Sequence, residues 1–301
     1  MLKLILKQRQ KKISAQLESE HLITPITKRL STFETLSKTW LADTKPFVKE
    51  STYTRYYRIV DKYLLPLLKD QTLIKIDQKY INSFAEILLK EGGIKKKSLS
   101  PKTVTDILCV LKSIFKYGTE NGYPTPDING IKHPKKYQKN IKILSEDARK
   151  KIEKQLIVSE DLISLGIIFT LFTGVRIGEL CGLRWGDIDF KSSIVTICRT
   201  VNRISNLDPL LTAKTKVIVS EPKTEHSLRL IPIPSFLMSY LYERKSNENC
   251  YILTGTTKFT EPQHFYMQYK KYLQKNGIED YTFHALRHTF ATRCVELGFD
   301  T

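Results

Sequence analysis

The chain has 301 residues, of which 41% are hydrophobic and 27% are charged, a composition typical of a globular protein long enough for two domains. Its 49 Lys and Arg against 31 Asp and Glu give a net charge of +18, which favours a polyanionic partner, although a lysine-rich solvated surface would give the same excess. The sequence contains no apolar run near the roughly 18 residues of a membrane span, and its start does not resemble a secretory signal.

Residues 1–122 predict helices: the first 30 residues are mostly polar, and apolar side chains recur at helical spacing from Thr32 to about Gly122. Residues 1–30 predict a helical lead-in, and residues 31–122 predict a bundle of about four helices. The fourth helix has the clearest start, because Ser100 is a favourable N-cap and Pro101 suits the first helical position. We expect that helix to end at Gly118 to Gly122. The sequence therefore predicts an all-α domain whose Lys- and Tyr-rich surface suits DNA as well as simple solvation.

A linker is predicted at residues 123–142, because the stretch YPTPDINGIKHPKKYQKNIK contains three prolines and a basic second half. That half has five lysines and no acidic residue. A basic linker between two domains suits the backbone of DNA, and a merely soluble linker is the alternative. The candidate DNA-binding residues are Lys132, Lys135, Lys136, Lys139 and Lys142.

Residues 143–301 mix helical and strand patterns. A helix is expected after Ser145, and the apolar helix in DLISLGIIFTLF is broken at TGVRIGELCGL. The β-branched runs SIVTICRTV, VIVSEP and SLRLIPIP predict strands. Further helices are expected over 235–244, over 262–276 and from 282 onward. These patterns predict an α+β domain with a small antiparallel sheet.

Two basic residues in this second domain are candidate phosphate ligands. Arg176 opens a helix just after Gly174 and is suited to hold a phosphate, with Glu179 one turn later to orient it; an ordinary i,i+3 surface pair is the alternative. Lys223 lies in a polar turn between two predicted strands. A lysine at a hairpin tip can reach a substrate and donate a proton, although a solvated lysine is equally compatible and Lys214 is a second candidate.

The stretch HALRHTF at residues 284–290 allows two kinds of site. His284 and His288 at i,i+4 could share a zinc ion, whereas His284 and Arg287 at i,i+3 could hold a phosphate. On a helical wheel, His284 and Arg287 flank an apolar stripe and His288 points further towards solvent; the stripe consists of Phe283, Leu286, Phe290, Cys294 and Leu297. Zinc lacks further ligands here, since there is no HExxH and no cysteine pair. The pattern therefore favours a phosphate.

The segments TGVRIGELCGLRWGDIDF, PKTEHSLRLIPIP and HALRHTFAT, in this order and spacing, resemble those of the tyrosine recombinases, also called phage integrases. The resemblance covers about residues 31–301 and implies a helical, SAM-like core-binding domain, a linker and an α+β catalytic domain over 143–301. It also implies strand cleavage by a tyrosine through a 3′-phosphotyrosine, without a metal or nucleotide cofactor.

The resemblance implies a role for each matched residue. Arg176 and Arg287 would neutralise the non-bridging oxygens of the transition state. Lys223 would act as general acid towards the leaving 5′-hydroxyl, and His284 would act as an acid/base or hydrogen-bond donor at the phosphate.

The sequence departs from the family pattern after HALRHTFAT. Family members continue to a further His or Trp and then to the nucleophilic tyrosine, and neither is found before Thr301. Tyr281 lies on the wrong side of the motif to replace that tyrosine. We therefore expect this chain to bind DNA without cleaving it. The alternatives are a naturally truncated, non-catalytic regulator or decayed relative, and, less favoured, a nuclease or RNA-binding protein.

The expected partners are double-stranded recombination sites, further copies of the chain in a tetramer, and accessory DNA-bending or excision factors. The five cysteines form no CxxC pair, which fits a reducing cytoplasm and argues against a disulfide framework.

Overall fold

The computed structural model describes residues 31–93, 97–127, 129–135, 142–158, 161–208, 210, 212–221 and 228–299, with the backbone alone for 156–158. The predicted helical lead-in at 1–30 lies outside these residues. The chain divides into two units, Met1–Gln138 and Lys139–Thr301. The predicted domain limits at 31, 122 and 143 remain predictions.

The first unit is helical. Its helices are α1 (Phe33–Thr44), α2 (Glu50–Ile59), α3 (Leu65–Leu68), α4 (Gln78–Glu91) and α5 (Pro101–Glu120). A single π-helical turn, Val60–Leu64, joins α2 to α3, so these two helices form one continuous rod. Short 3-10 turns at Lys45–Phe47 and Leu73–Lys75 complete the connections.

Polar residues that precede apolar helical runs cap the N-termini of helices in this unit. The Asp77 carboxylate accepts a hydrogen bond from the Tyr80 N–H (2.7 Å), and the Ser100 hydroxyl accepts one from the Thr103 N–H (3.2 Å). The core contains Phe33 against Phe115, with ring centroids 5.9 Å apart in an edge-to-face arrangement. The α5 helix ends at Glu120, within the range Gly118 to Gly122 that the sequence predicts.

The second unit contains six described helices around two small sheets. The helices are α6 (Glu146–Val158), α7 (Leu162–Thr173), α8 (Ile177–Gly182), α9 (Ser235–Tyr242), α10 (Pro262–Lys275) and α11 (Phe283–Glu296). The α7 helix forms the centre of the unit, since every residue from Ser164 to Leu171 is buried. This follows from its sequence, which is apolar on all sides and therefore cannot face water.

Five short antiparallel strands lie between α8 and α9: β1 (Ile188–Asp189), β2 (Ile194–Ile197), β3 (Thr200–Ser205), β4 (Thr215–Ser220) and β5 (Arg229–Pro232). They form a three-stranded sheet in the order β1-β2-β5 and a two-stranded sheet of β3 and β4. In the first sheet Val195 lies opposite both Ile188 and Ile231. In the second, Thr200 lies opposite Ser220.

The strand pairing corrects two expectations from the sequence. One small sheet was expected, but the run SIVTICRTV is interrupted at Cys198 and Arg199 and supplies β2 to one sheet and β3 to the other. The runs VIVSEP and SLRLIPIP were expected to form a hairpin. In the described residues they lie in separate sheets, where β4 pairs with β3 and β5 pairs with β2.

The prediction of a helical domain followed by an α+β domain is confirmed. Within the described part of the chain, no helix combines the length and the apolar character needed to cross a bilayer.

Candidate active site

Arg176 lies where α7 ends and α8 begins. Gly174 ends α7 in the left-handed conformation (φ 64°), and its N–H donates to the Thr170 carbonyl (2.9 Å). Arg176 is the N-cap residue of α8. Its backbone N–H donates to Glu179 Oε2 (2.8 Å), and its Nη1 donates to Glu179 Oε1 (2.9 Å). The predicted partnership of Arg176 with Glu179 is therefore present, through both the main chain and the side chain.

Gly174 also joins this turn to α11. A Cβ built on Gly174 would lie 2.5 Å from Cδ1 of Phe290, so the Phe290 ring occupies the space that any side chain would need. The Nη1 atom of Arg287 donates a hydrogen bond to the Gly174 carbonyl oxygen. The turn that carries Arg176 and the helix that carries Arg287 are thus held together at one glycine.

The α11 helix presents His284 and Arg287 near Arg176. Partial burial lowers the pKa of His284 below its usual value, and the nearby charges of His288, Arg287 and Arg176 lower it further. These effects favour the neutral form of the His284 imidazole. Burial also lowers the pKa of Arg287, and the positive charges of Arg176 and Arg229 act in the same direction. These mutual effects indicate a cluster of cations that an anion would stabilise.

The orientation of α11 differs from the helical wheel. The face of α11 that is buried consists of Phe283, Ala285, Leu286 and Thr289, whereas Leu297 is 68% exposed. Thr289 is polar but belongs to this face because its hydroxyl accepts from the Leu144 N–H (2.9 Å) and donates to the Ala285 carbonyl (2.8 Å). The expectation that His288 points further towards solvent than His284 is wrong. His284 is only partly shielded and is more exposed than the half-buried His288, and their ring centroids lie 5.6 Å apart.

A cavity of about 310 Å³ opens beside His284. Side chains at the start of α10 and at the start of α11, among them Gln263, Tyr266 and Thr282, line it together with the imidazole. The imidazole is therefore accessible to a bound molecule. Among the described residues, no group of three His, Cys, Asp or Glu side chains is arranged to hold a metal ion.

Arg229 is a member of the cluster that the sequence did not predict. It is the first residue of β5, and its Nη2 donates to Glu179 Oε2 (2.7 Å). The run LRLIP carries leucine on one side and isoleucine on the other, so the sequence does not tell which side faces inward; in the structure Leu228 and Leu230 are 45% and 63% exposed, whereas Ile231 is 9% exposed. Arg229 therefore shares the inward face of β5 with Ile231, and an arginine on an inward face needs an acidic partner.

The structure describes some of the remaining candidates. Lys223 lies outside the described residues, and Lys214 is exposed at the start of β4. Of the linker lysines, Lys136 and Lys139 also lie outside the described residues. Lys132 and Lys135 are exposed. Lys142 forms an ion pair with Glu279 and lies 4.7 Å from the centroid of the Tyr281 ring.

Tyr281 is 2% exposed, and its hydroxyl accepts a hydrogen bond from the Ser145 N–H (3.3 Å). A buried, hydrogen-bonded phenol beneath the surface is not placed to attack a phosphate. The side chain instead connects the start of α6 to the residues that precede α11.

Two family profiles match this chain. Residues 136–301, more than half of the chain, match the profile described as "Phage integrase family". Residues 32–89 match "Phage integrase, N-terminal SAM-like domain". The two matches follow each other in the same order as the helical unit and the α+β unit.

Individual relatives and structures are similar over most of the chain. A "Tyrosine recombinase XerC-like" protein of Caldanaerobacter subterraneus subsp. tengcongensis is 28% identical, covering 87% of this chain and 72% of that protein. The Tn1549 transposon integrase, in complex with transposon right end DNA, superposes with a TM-score of 0.70 at 18% identity, covering 90% of this chain and 88% of that one. A lambda integrase tetramer bound to a Holliday junction gives a TM-score of 0.61 at 17% identity, covering 97% and 84%. At these identities the two structures show a shared fold.

Proposed function

The chain belongs to the phage integrase family, and on that premise we propose that it is a site-specific DNA recombinase that integrates or excises a mobile element. Strand breakage and rejoining proceed through a 3′-phosphotyrosine. The observation that carries the proposal is the cluster of Arg176, His284 and Arg287: the hydrogen bond from Arg287 to the Gly174 carbonyl holds the helix with His284 and Arg287 against the turn with Arg176, and the positive charge of Arg176 lowers the pKa values of the other two groups. A DNA phosphodiester is an anion that two arginines can bind, and duplex DNA, as a polyanion, also suits the net charge of +18.

In this mechanism the residues of the chain act on the phosphate. Arg176 and Arg287 bind the two non-bridging oxygens and stabilise the charge that develops as the tyrosine oxygen bonds to phosphorus. The bond between phosphorus and the 5′-oxygen breaks, and Lys223 supplies the proton to that oxygen. His284 acts as an acid/base that takes up the proton of the tyrosine hydroxyl, or as a hydrogen-bond donor at the phosphate. The reverse reaction uses the 5′-hydroxyl of the partner strand, so the phosphodiester energy is conserved.

We propose further that the 301-residue chain by itself binds DNA without forming a covalent link. Residues 282–301 include no tyrosine, and Tyr281 is buried. DNA duplexes are the proposed partners, and a tetramer on two duplexes is the proposed assembly, since a lambda integrase of the same fold forms a tetramer on a Holliday junction. Accessory DNA-bending or excision factors are also proposed. The expected location is the cytoplasm, where unpaired cysteines such as the exposed Cys109 remain reduced.

The test measures binding and covalent attachment separately. Affinity for a duplex of about 30 base pairs is measured between about 50 and 200 mM NaCl, where each phosphate contact adds about 0.9 to the slope of log K against log salt. A steep inverse dependence supports DNA binding, and a flat one overturns it. The same samples are incubated with a nicked suicide duplex and denatured in SDS. An SDS-resistant protein–DNA adduct would overturn the proposal that this chain does not cleave.

A further inference from the structure

Glu179 is placed between two arginines that come from different parts of the chain. Its carboxylate accepts hydrogen bonds from Arg176 Nη1 at Oε1 (2.9 Å) and from Arg229 Nη2 at Oε2 (2.7 Å). The Glu179 side chain is 11% exposed, whereas those of Arg176 and Arg229 are 52% and 37% exposed. The single buried carboxylate therefore lies below two guanidinium groups that reach towards solvent.

Arg229 is held in this position by the sheet. It lies opposite Ile197 of β2 in the three-stranded sheet, so its backbone is anchored by antiparallel pairing. Arg176 is anchored separately, as the N-cap of α8, where the Glu179 carboxylate also accepts its backbone N–H. The Arg229–Glu179 pair is consequently a side-chain link between β5 and the turn that carries Arg176.

The charge of Glu179 determines what Arg176 can offer a phosphate. If Arg176 were the sole partner, one carboxylate would neutralise one guanidinium, and a phosphate would have to compete with Glu179 for it. With Arg229 bound to Oε2, the negative charge is shared between two cations and Arg176 keeps a net attraction for a second anion. Counting Arg176, Arg229, Arg287 and Glu179, three positive charges face one negative charge.

We propose that Arg229 is a positioning residue of the recombinase site, which acts through Glu179 to hold Arg176 in place and leave it free to bind a DNA phosphate. This inference rests on the proposed function, because it assumes that Arg176 binds a phosphate. Arg229 lies within the segment PKTEHSLRLIPIP, but it was not among the candidate site residues of that segment. Two other roles differ in their consequences: direct contact of Arg229 with DNA, and a purely structural ion pair.

The experiment is a double-mutant cycle on the 301-residue chain with Arg229→Gln, Arg176→Gln and the double variant. The probe is a fluorescent duplex of about 30 base pairs at fixed salt. Arg203→Gln is the matched control, because Arg203 lies on β3 in the same unit, pairs with Glu261, and removes the same single charge. Thermal unfolding of each variant verifies that it is folded. If Arg229→Gln does not fold, Arg229→Lys, which keeps the charge but loses the planar fork, takes its place in the cycle.

The positioning role predicts that Arg229→Gln weakens duplex binding about fivefold in the wild-type background, a typical size for residues coupled through a shared partner. In the Arg176→Gln background, Arg229→Gln should weaken binding no more than Arg203→Gln does. If Arg229→Gln weakened binding by the same factor in the wild-type and the Arg176→Gln backgrounds, Arg229 would contact DNA directly and the positioning role would be overturned. The role would also be overturned if, in the wild-type background, Arg229→Gln weakened binding only as much as Arg203→Gln does.

A second readout separates positioning from structure alone. Burial raises the pKa of Glu179, but hydrogen bonds from the Arg176 backbone and from both guanidinium groups outweigh burial and lower the pKa overall. Carboxyl ¹³C NMR should show a higher Glu179 pKa in Arg229→Gln and no change in Arg203→Gln. Loss of thermal stability without either effect would overturn the inference. Absence of salt-dependent DNA binding by the wild-type chain would instead contradict the proposed function itself.

Discussion

Arg287 on α11 donates a hydrogen bond to the carbonyl oxygen of Gly174, which lies 113 residues earlier in the sequence. Gly174 precedes Arg176 by two residues, and Phe290 of the same helix α11 packs against it. The separation of the two site arginines therefore depends on how closely α11 approaches this one glycine. Its left-handed conformation and the missing side chain are both required for that approach.

Gly174→Ala should destabilise the second unit and disturb the arginine cluster. The new Cβ would lie 2.5 Å from the Phe290 ring, and the residue would keep a positive φ of 64°. Overpacking and backbone strain together predict a loss of about 3 kcal/mol in the free energy of unfolding. The measurement is equilibrium unfolding, monitored by circular dichroism.

Gly255→Ala is the matched control for this substitution. Gly255 has nearly the same φ (63°), but nothing lies within 4 Å of its would-be Cβ. Backbone strain alone then predicts a loss of about 1 kcal/mol. Equal losses for the two variants would mean that Phe290 yields easily and that α11 does not depend on the space at Gly174.

Only part of this arrangement was predictable from the sequence. Local signals were sufficient for the position of Arg176 after Gly174 and for the spacing of His284 and Arg287 on one helix. The inclusion of Arg229 depends on which strand lies beside β2, and that pairing joins residues far apart in the sequence. For the same reason the strand patterns predicted one small sheet, whereas the structure has two. The orientation of α11 was wrong because the wheel counted apolar residues alone, whereas Thr289 belongs to the buried face through its hydrogen bonds.

DNA binding should become tighter as the pH falls, and His284 should account for part of the change. In the free protein the pKa of His284 is lowered by burial and by His288, Arg287 and Arg176. A bound phosphate raises the pKa, so protonation and binding favour each other over the pH range between the free and the bound values.

The wild-type chain should gain roughly three- to tenfold in duplex affinity between about pH 7.5 and 5.5, and His284→Asn should gain distinctly less. Fluorescence anisotropy at constant ionic strength measures this. His264→Asn is the control, since His264 is an exposed imidazole on α10. The role of His284 would be contradicted by identical pH profiles for wild type and His284→Asn.

Removal of either site arginine should lower the salt dependence of DNA binding and abolish strand cleavage. Arg176→Gln or Arg287→Gln is expected to reduce the slope of log K against log salt by about 0.9, the value for one phosphate contact. In a chain that also supplies the nucleophilic tyrosine, Arg176→Ala or Arg287→Ala should abolish strand cleavage, because transition-state stabilisation is lost, whereas duplex binding should weaken only by the contribution of one phosphate contact.

Arg293→Gln is the control for the slope, because Arg293 is exposed on α11 outside the cluster. It should leave the slope nearer the wild-type value. Cleavage at the wild-type rate by either alanine variant would show that the two arginines do not bind the reacting phosphate.

Glu279→Gln should strengthen DNA binding, which tests the predicted role of Lys142 in the basic linker. Lys142 is engaged with Glu279, whose hydrogen bond raises the lysine pKa although partial burial opposes it. Both side chains are more than half exposed, so the ion pair is weak and a DNA phosphate can compete for Lys142. Without the carboxylate, duplex affinity should rise roughly two- to threefold, and the increase should disappear when Lys142→Gln is added.

Glu248→Gln, which removes an exposed acidic charge elsewhere in the same unit, measures the general effect of net charge. If Glu248→Gln strengthens binding as much as Glu279→Gln, or if the increase survives Lys142→Gln, then Lys142 does not contact DNA.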